Sequence, residues 1–186
     1  MSRDQSAPGS LELVRLFVNS LDLDHPEHDP FLTGGTAAQW LGARGFAANA
    51  PSAVELEALR DLREALRADL VSHGGAGSGG RTWPAVATLL AGTGLEVVFA
   101  PSGGVQLVPR GDSATATLRG SLAAAIYDAV RDGSWRRLKA CRKHSCLFAF
   151  YDRSKNGSGA WCNMAVCGNR VKAERRRARE RSKAPD

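Results

Sequence analysis

Apolar residues recur at three- and four-residue intervals through most of the first 133 positions, the period of helices that bury one face. Leu11, Val14, Val18 and Leu21 predict a first helix over residues 11–21. A polar loop follows at residues 22–30, and residues 36–43 form a short helix carrying Trp40 and Leu41. The clearest helix spans residues 53–71, where Leu59, Leu62, Leu66 and Leu70 make an apolar stripe that Leu56 widens. Ser52 just before it and Glu55 in its first turn have capping-box spacing, so hydroxyl and carboxylate can satisfy the orphan amides at its start. The run Gly74–Gly80 ends this helix as a flexible loop, and residues 83–90 read as one more short helix.

The pattern then changes. Residues 95–100 and 105–108 have strand composition, and Pro101–Gly104 between them suits a hairpin turn. Residues 121–131 return to helical spacing through Leu122, Ala125, Ile126 and Val130, and Gly133 closes them. The first 133 residues are therefore expected to be α+β, mostly helical with one small hairpin sheet and no internal repeat.

Length and composition allow one ordinary domain and a small second one: 186 residues, of which 43% are hydrophobic, enough for a packed core. No stretch approaches the roughly 20 apolar residues of a membrane span, and the first ten residues lack the apolar centre of a signal peptide. The expectation is a cytoplasmic protein with no membrane partner. The net charge of +6 conceals a division. Residues 1–133 hold 10 Lys and Arg against 15 Asp and Glu, a net −5, whereas residues 134–186 hold 15 against 4, a net +11. Such asymmetry marks the second part as the one facing a polyanion.

All four cysteines lie in that basic part, as the pairs Cys141/Cys146 and Cys162/Cys167, each with a four-residue gap and with fifteen residues between the pairs. In a reducing compartment such pairs point to metal rather than to disulfides. Four thiolates suit one structural Zn2+, and a catalytic zinc would keep a position open for water. His144, within the first pair, reads as a surface residue. Residues 138–141 and 147–151 are expected to form a knuckle hairpin, 152–159 a polar loop, and Cys167 onward a helix. Phe148, Phe150 and Trp161 make a core too small to hold fifty residues without metal. The division is placed at 133/134, with residues 1–133 as an independent folding unit to whose core the finger adds few apolar groups.

At the last knuckle, Cys167 is expected at a helix start, where the macrodipole favours thiolate. Gly168 is expected to let the backbone turn close to the sulfur, Asn169 to cap the helix, and Arg170 to project beside the metal site. Lys172, Arg175, Arg176, Arg179 and Lys183 then recur on one helical face, with Glu174 and Glu180 the only acids from 170 to 183. A solvated charged face is the simplest account of a charge run. This one is too one-sided for that, and the reading is nucleic-acid contact by Arg170, Lys172, Arg175, Arg176 and Arg179, mainly to phosphates, with one or two side chains reaching base edges.

The segments Leu138–Cys141, Phe150-Tyr-Asp-Arg-Ser-Lys-Asn156 and Trp161-Cys-Asn-Met-Ala-Val-Cys-Gly-Asn-Arg170 resemble the CGNR zinc-finger family over residues 137–181. In that family the finger follows an N-terminal domain called ABATE. The stretches Leu16–Ser20, Ala38–Leu41 and Leu62–Leu66 are similar to its pattern. The resemblance implies a stress-induced, ligand-responsive bacterial transcription regulator. The chain departs from it at Gly159-Ala160, where relatives commonly carry a basic residue, which removes one phosphate contact and leaves the metal site untouched.

The implied sensor needs a ligand site, and Asn19, Trp40 and Arg63 are its candidates. Arg63 borders the apolar stripe, where an arginine either reaches to water or pairs with an anion, an internal carboxylate before a ligand. Trp40 reads equally as core, and Asn19 as a partner for backbone groups at a helix end. The loop Asp24–Asp29 offers two histidines and three carboxylates; a second metal could bind there, although a solvated turn is the simpler reading. No nucleophile elbow, P-loop or dinucleotide fingerprint appears, so no enzyme is expected. The function expected is a DNA-binding regulator that senses a small-molecule effector. The alternative is a zinc-stabilised RNA-binding or protein-interaction adaptor.

Overall fold

The computed structural model of the chain describes residues 5–47, 49–74, 83–101 and 103–182. Within the sequence readings above, Gly75–Gly80 of the glycine-rich loop, Ser102 of the hairpin turn and Lys183 of the basic face lie outside them.

Helix α1 (Leu11–Val18) buries Leu11, Val14, Phe17 and Val18. Helix α2 (Gly34–Gly42) follows, its first turn held by the Thr33 hydroxyl on the Thr36 amide at 3.2 Å. Helix α3 (Ala53–Ser72) is the spine of the molecule. The capping box at its start is present in both directions: the Ser52 hydroxyl accepts from the Glu55 amide, and the Glu55 carboxylate accepts from the Ser52 amide at 2.9 Å. Leu59, Leu62, Leu66 and Leu70 along it are fully buried. Burying such side chains contributes about 1.5–3 kcal/mol each. The short helix α4 (Trp83–Leu90) contacts α3.

Strands β1 (Gly94–Phe99) and β2 (Val105–Arg110) pair antiparallel, from Gly94 opposite Arg110 to Phe99 opposite Val105. Helix α5 (Ala114–Arg131) begins two turns before residue 121, where hydrophobic spacing had placed its start. Those turns read Ala-Thr-Ala-Thr-Leu-Arg-Gly and lack a large apolar stripe. The start is set instead by Ser113, whose hydroxyl accepts from the Ala116 amide at 3.1 Å. Gly120 is required where β2 crosses α5, because a side chain there would collide with Pro109.

Beyond Gly133, strands β3 (Leu138–Ala140) and β4 (Ala149–Tyr151) form a second two-stranded antiparallel sheet. A tight π-helical turn, Met164–Gly168, leads into helix α6 (Asn169–Arg181). The architecture is mostly helical with two small antiparallel sheets and four clustered cysteines. Among the described residues, no helix is long and apolar enough to cross a membrane.

The main core does not stop at Gly133. Trp135, Leu138, Ala140 and Ala149 are buried in the same cluster as Val14, Phe17, Leu66, Leu70, Leu122 and Ala125. The expectation that the finger adds few apolar groups to that core therefore needs correction. The hairpin β3–β4 is packed on α1 and α3, while the cysteines gather in a smaller cluster with Phe148 and Trp161. Sequence reading missed this because Phe148, Phe150 and Trp161 suggest a core of the finger's own, and no local signal shows that Trp135, Leu138, Ala140 and Ala149 join the core of the preceding helices.

Candidate metal centre and basic helix

Three backbone devices assemble the four sulfurs. The Cys141 amide donates to the Phe148 carbonyl at 2.9 Å, so β3 runs straight into the first ligand. The Cys146 amide donates to Lys143 O at 2.8 Å, and Leu147 adopts a left-handed backbone (φ 49°) to turn the chain back into β4. On the other side, Asn163 caps the π-helical turn: its side-chain oxygen accepts from the Val166 amide at 3.1 Å, and its carbonyl accepts from the Cys167 amide at 2.8 Å. The capping asparagine is thus Asn163, with Asn169 lying inside the helix that follows. Gly168 also differs from expectation. Its backbone is ordinary right-handed helix, and what it supplies is space, since a Cβ there would strike the Met164 sulfur and the Trp161 ring.

The cysteines carry no disulfide, and all four sulfurs lie within 4.8 Å of one another. Cys146 to Cys162 and Cys162 to Cys167 are both 3.6 Å. Sulfurs at 2.3 Å from a tetrahedral Zn2+ would be separated by about 3.8 Å, so the donor set fits that ion. The charges agree. Thiol hydrogen bonds from Cys146 and then Cys162 hold Cys141 down to about 2, while donating to that thiolate drives Cys146 up to about 12 and raises Cys162 as well. Four thiols this close cannot all ionise unless a cation sits among them. His144 is exposed and outside the cluster.

The loop between the cysteine pairs is pinned from beneath. The buried Lys139 ammonium donates to Asp152 at 2.8 Å and also to the Gly157 carbonyl. Asp152 further accepts from the Ser154 and Gly159 amides at 3.0 and 2.7 Å. Burial works to raise the Asp152 carboxyl, but Lys139 and these donors hold it down to about 2. A Cβ on Gly159 would lie 2.7 Å from that carboxylate, which explains glycine at this position.

Helix α6 leaves the cluster with no buried residue. Arg170, Lys172, Arg175, Arg176 and Arg179 are all exposed, and Lys172, Arg175, Arg176 and Arg179 line one shallow groove with Glu180. Arg176 pairs with Glu180 at 2.9 Å, in solvent. From Arg170 to Arg181 there are seven cations against two acids, a net +5 on three turns of helix.

Trp40 and Arg63 meet on the Phe31 ring, which Trp40 contacts edge-on and the Arg63 guanidinium overlies at 5.6 Å, while Asn19 is turned to the finger. Arg63 is 2% exposed and forks onto Asp29, with both N···O distances 2.7 Å, and its Nη1 also donates to the Ser20 hydroxyl at 3.1 Å. Burial pushes the Asp29 carboxyl upward, yet the Arg63 bonds and the Phe31 amide outweigh it and leave it lowered. Trp40 packs edge-on against Phe17 and Phe31, with the Arg44 guanidinium 3.8 Å above its ring. Asn19 bonds the backbone of Ala149 in β4 twice.

Sequence reasoning passed over three residues that tie the finger to α3. Arg67, 3% exposed, donates to the Val18 carbonyl at 2.8 Å and to the Leu147 carbonyl at 3.4 Å. Asp69 accepts from the Trp135 indole at 3.1 Å and lies 3.3 Å from His73, whose other ring nitrogen is 2.8 Å from the Leu138 carbonyl. The available signal was charge placement: Arg67 and Asp69 sit beside Leu66 and Leu70, where a charged side chain must find a partner.

Two family matches agree with this geometry. Residues 11–133 match ABATE, described as a putative stress-induced transcription regulator, and residues 137–180 match the CGNR zinc finger. Among curated proteins, none matches the chain.

Proposed function

The chain belongs to the ABATE family and carries a CGNR zinc finger with its four cysteines close together, as one structural zinc requires; on that footing we propose that it is a bacterial, cytoplasmic DNA-binding transcription regulator. The observation that carries this reading is helix α6, a one-sided basic helix that leaves a four-thiol cluster and buries nothing against the protein. When bound, zinc would supply the cross-link that fixes the direction in which α6 leaves the finger. Cys141, Cys146, Cys162 and Cys167 are the ligands in this account. Lys172, Arg175, Arg176 and Arg179 would follow phosphates, which give affinity without sequence information. Arg170, at the start of the helix nearest the fixed end, would reach a base edge.

The first module would act as sensor. Its clamps on the finger, through Asn19, Arg67 and Asp69, make a route by which a change in α1 or α3 reaches the zinc knuckle. The effector would be a small molecule that bears on the Asn19, Trp40 and Arg63 region. The test is selection of bound sequences from random duplex DNA with the zinc-loaded chain. Enrichment of a defined site supports the regulator. Binding to RNA or to an acidic protein, with none to duplex DNA at low salt, transfers the role to an adaptor.

A further inference from the structure

We propose that His25, Glu27 and His28 form a second, surface site for a divalent transition-metal ion of the Zn2+, Ni2+ or Co2+ type. His25 Nδ1 lies 3.3 Å from Glu27 Oε1, and His28 Nε2 lies 4.0 Å from the same oxygen. The three donor atoms all fall within 4.8 Å of one another. Donors bound to a metal at 2.0–2.2 Å stand about 3.0–3.5 Å apart. The His25–Glu27 separation therefore fits already, and rotation of the exposed side chains closes the other two. The two imidazoles are stacked, with centroids 5.7 Å apart and planes 26° from parallel, so they stand side by side at the turn.

The backbone beneath these donors is held at both ends. The His25 amide donates to Asp22 O at 3.1 Å, Pro26 opens a short 3-10 turn, and the His28 and Asp29 amides close it onto His25 O and Pro26 O at 3.1 and 3.2 Å. The next side chain, Asp29, is locked onto Arg63. Presenting donors from a fixed loop reduces the ordering cost of binding. Two imidazoles and one carboxylate suit borderline cations, whereas Ca2+ and Mg2+ prefer an all-oxygen shell and Cu(I) prefers sulfur. All three side chains are exposed, which leaves further coordination positions for water or a bound anion. Occupancy would sit one residue from the Asp29–Arg63 pair, next to the part of the protein that grips the finger. The site stands whether or not the chain binds DNA.

The experiment is a calorimetric titration of the untagged, zinc-loaded full chain with Ni2+ near neutral pH, with bound metal counted afterwards. The expected result is one nickel per chain beyond the finger zinc. His25→Ala and His28→Ala should each weaken it at least about tenfold, and His144→Ala should leave it unchanged. Glu27→Gln, at an exposed side chain, should weaken it too and serves if a histidine variant folds poorly. Absence of a second metal equivalent, or nickel affinity unchanged in His25→Ala, His28→Ala and Glu27→Gln, would overturn the proposal in favour of a hydrogen-bonded solvated turn.

Discussion

The Asn19 carboxamide, at the end of α1, grips both backbone groups of Ala149 in the zinc knuckle, 130 positions away: its Nδ2 donates to the Ala149 carbonyl at 2.9 Å and its Oδ1 accepts from the Ala149 amide at 2.6 Å. The side chain thus behaves as a one-residue strand on the free edge of β4, which pairs with β3 on its other side. Replacing Asn19 with Ala leaves a buried donor and a buried acceptor without partners, at about 1–3 kcal/mol each. The expected outcome is a lower melting temperature by thermal denaturation. Asn19→Asp, which keeps the acceptor and loses the donor, should also destabilise.

Because the core crosses the module junction, metal loss should be felt throughout the chain. Cys162→Ser, or removal of zinc by a chelator, should lower the unfolding midpoint of the whole protein and not of the finger alone. For the same reason, a chain ending at Gly133 would lose Trp135, Leu138, Ala140 and Ala149 from the core they share with Phe17, Leu66 and Leu70, and should aggregate or melt without cooperativity. Calorimetry of both variants checks this.

The Asp29–Arg63 pair predicts an acid-sensitive stability term. Asp29 is lowered in the folded state, so its contribution is complete above the ordinary carboxylate value of about 3.9 and is lost as pH falls through the lower folded value. Asp29→Asn should destabilise at neutral pH, by up to about 3–5 kcal/mol for a broken buried pair. Its stability should also fall less steeply than wild type as the pH drops below about 4. Denaturant unfolding at a series of pH values measures both.

Helix α6 has 13 residues, no buried side chain and a net +5 between Arg170 and Arg181. Isolated helices of this length are marginal in water, and like charges weaken it further. Far-ultraviolet circular dichroism should therefore show helix content rising when duplex DNA neutralises that face. A Glu174→Pro variant should abolish the rise and weaken binding while leaving the metal content unchanged.

Much of the fold was legible in the chain because its signals are local. The α3 stripe and its Ser52/Glu55 cap, the β1–β2 hairpin and the paired cysteines all come from spacing within a few residues. The start of α5 was not, since Ser113 sets it with one hydrogen bond while the following turns carry little hydrophobic pattern. The partners of Asn19, Arg63 and Arg67 were not legible either. Each is decided by chain crossings of 34 to 130 residues, and sequence can say only that a charge beside buried leucines needs a partner. Gly168 taught a different lesson: glycine there answers a demand for space from Met164 and Trp161, although a turn was the obvious reading.

The central claim, that α6 places its basic face on duplex DNA, is tested most directly by a salt titration of the zinc-loaded chain on a selected duplex and a scrambled one. If about five phosphates are neutralised, log affinity should fall with log salt at a slope near −4 to −5. Lys172→Ala, Arg176→Ala and Arg179→Ala should each flatten the slope by roughly one unit on both duplexes. Arg170→Ala should instead narrow the preference for the selected duplex by about 1–3 kcal/mol. A slope near zero, slopes unchanged in these variants, or no duplex binding at low salt would contradict the claim.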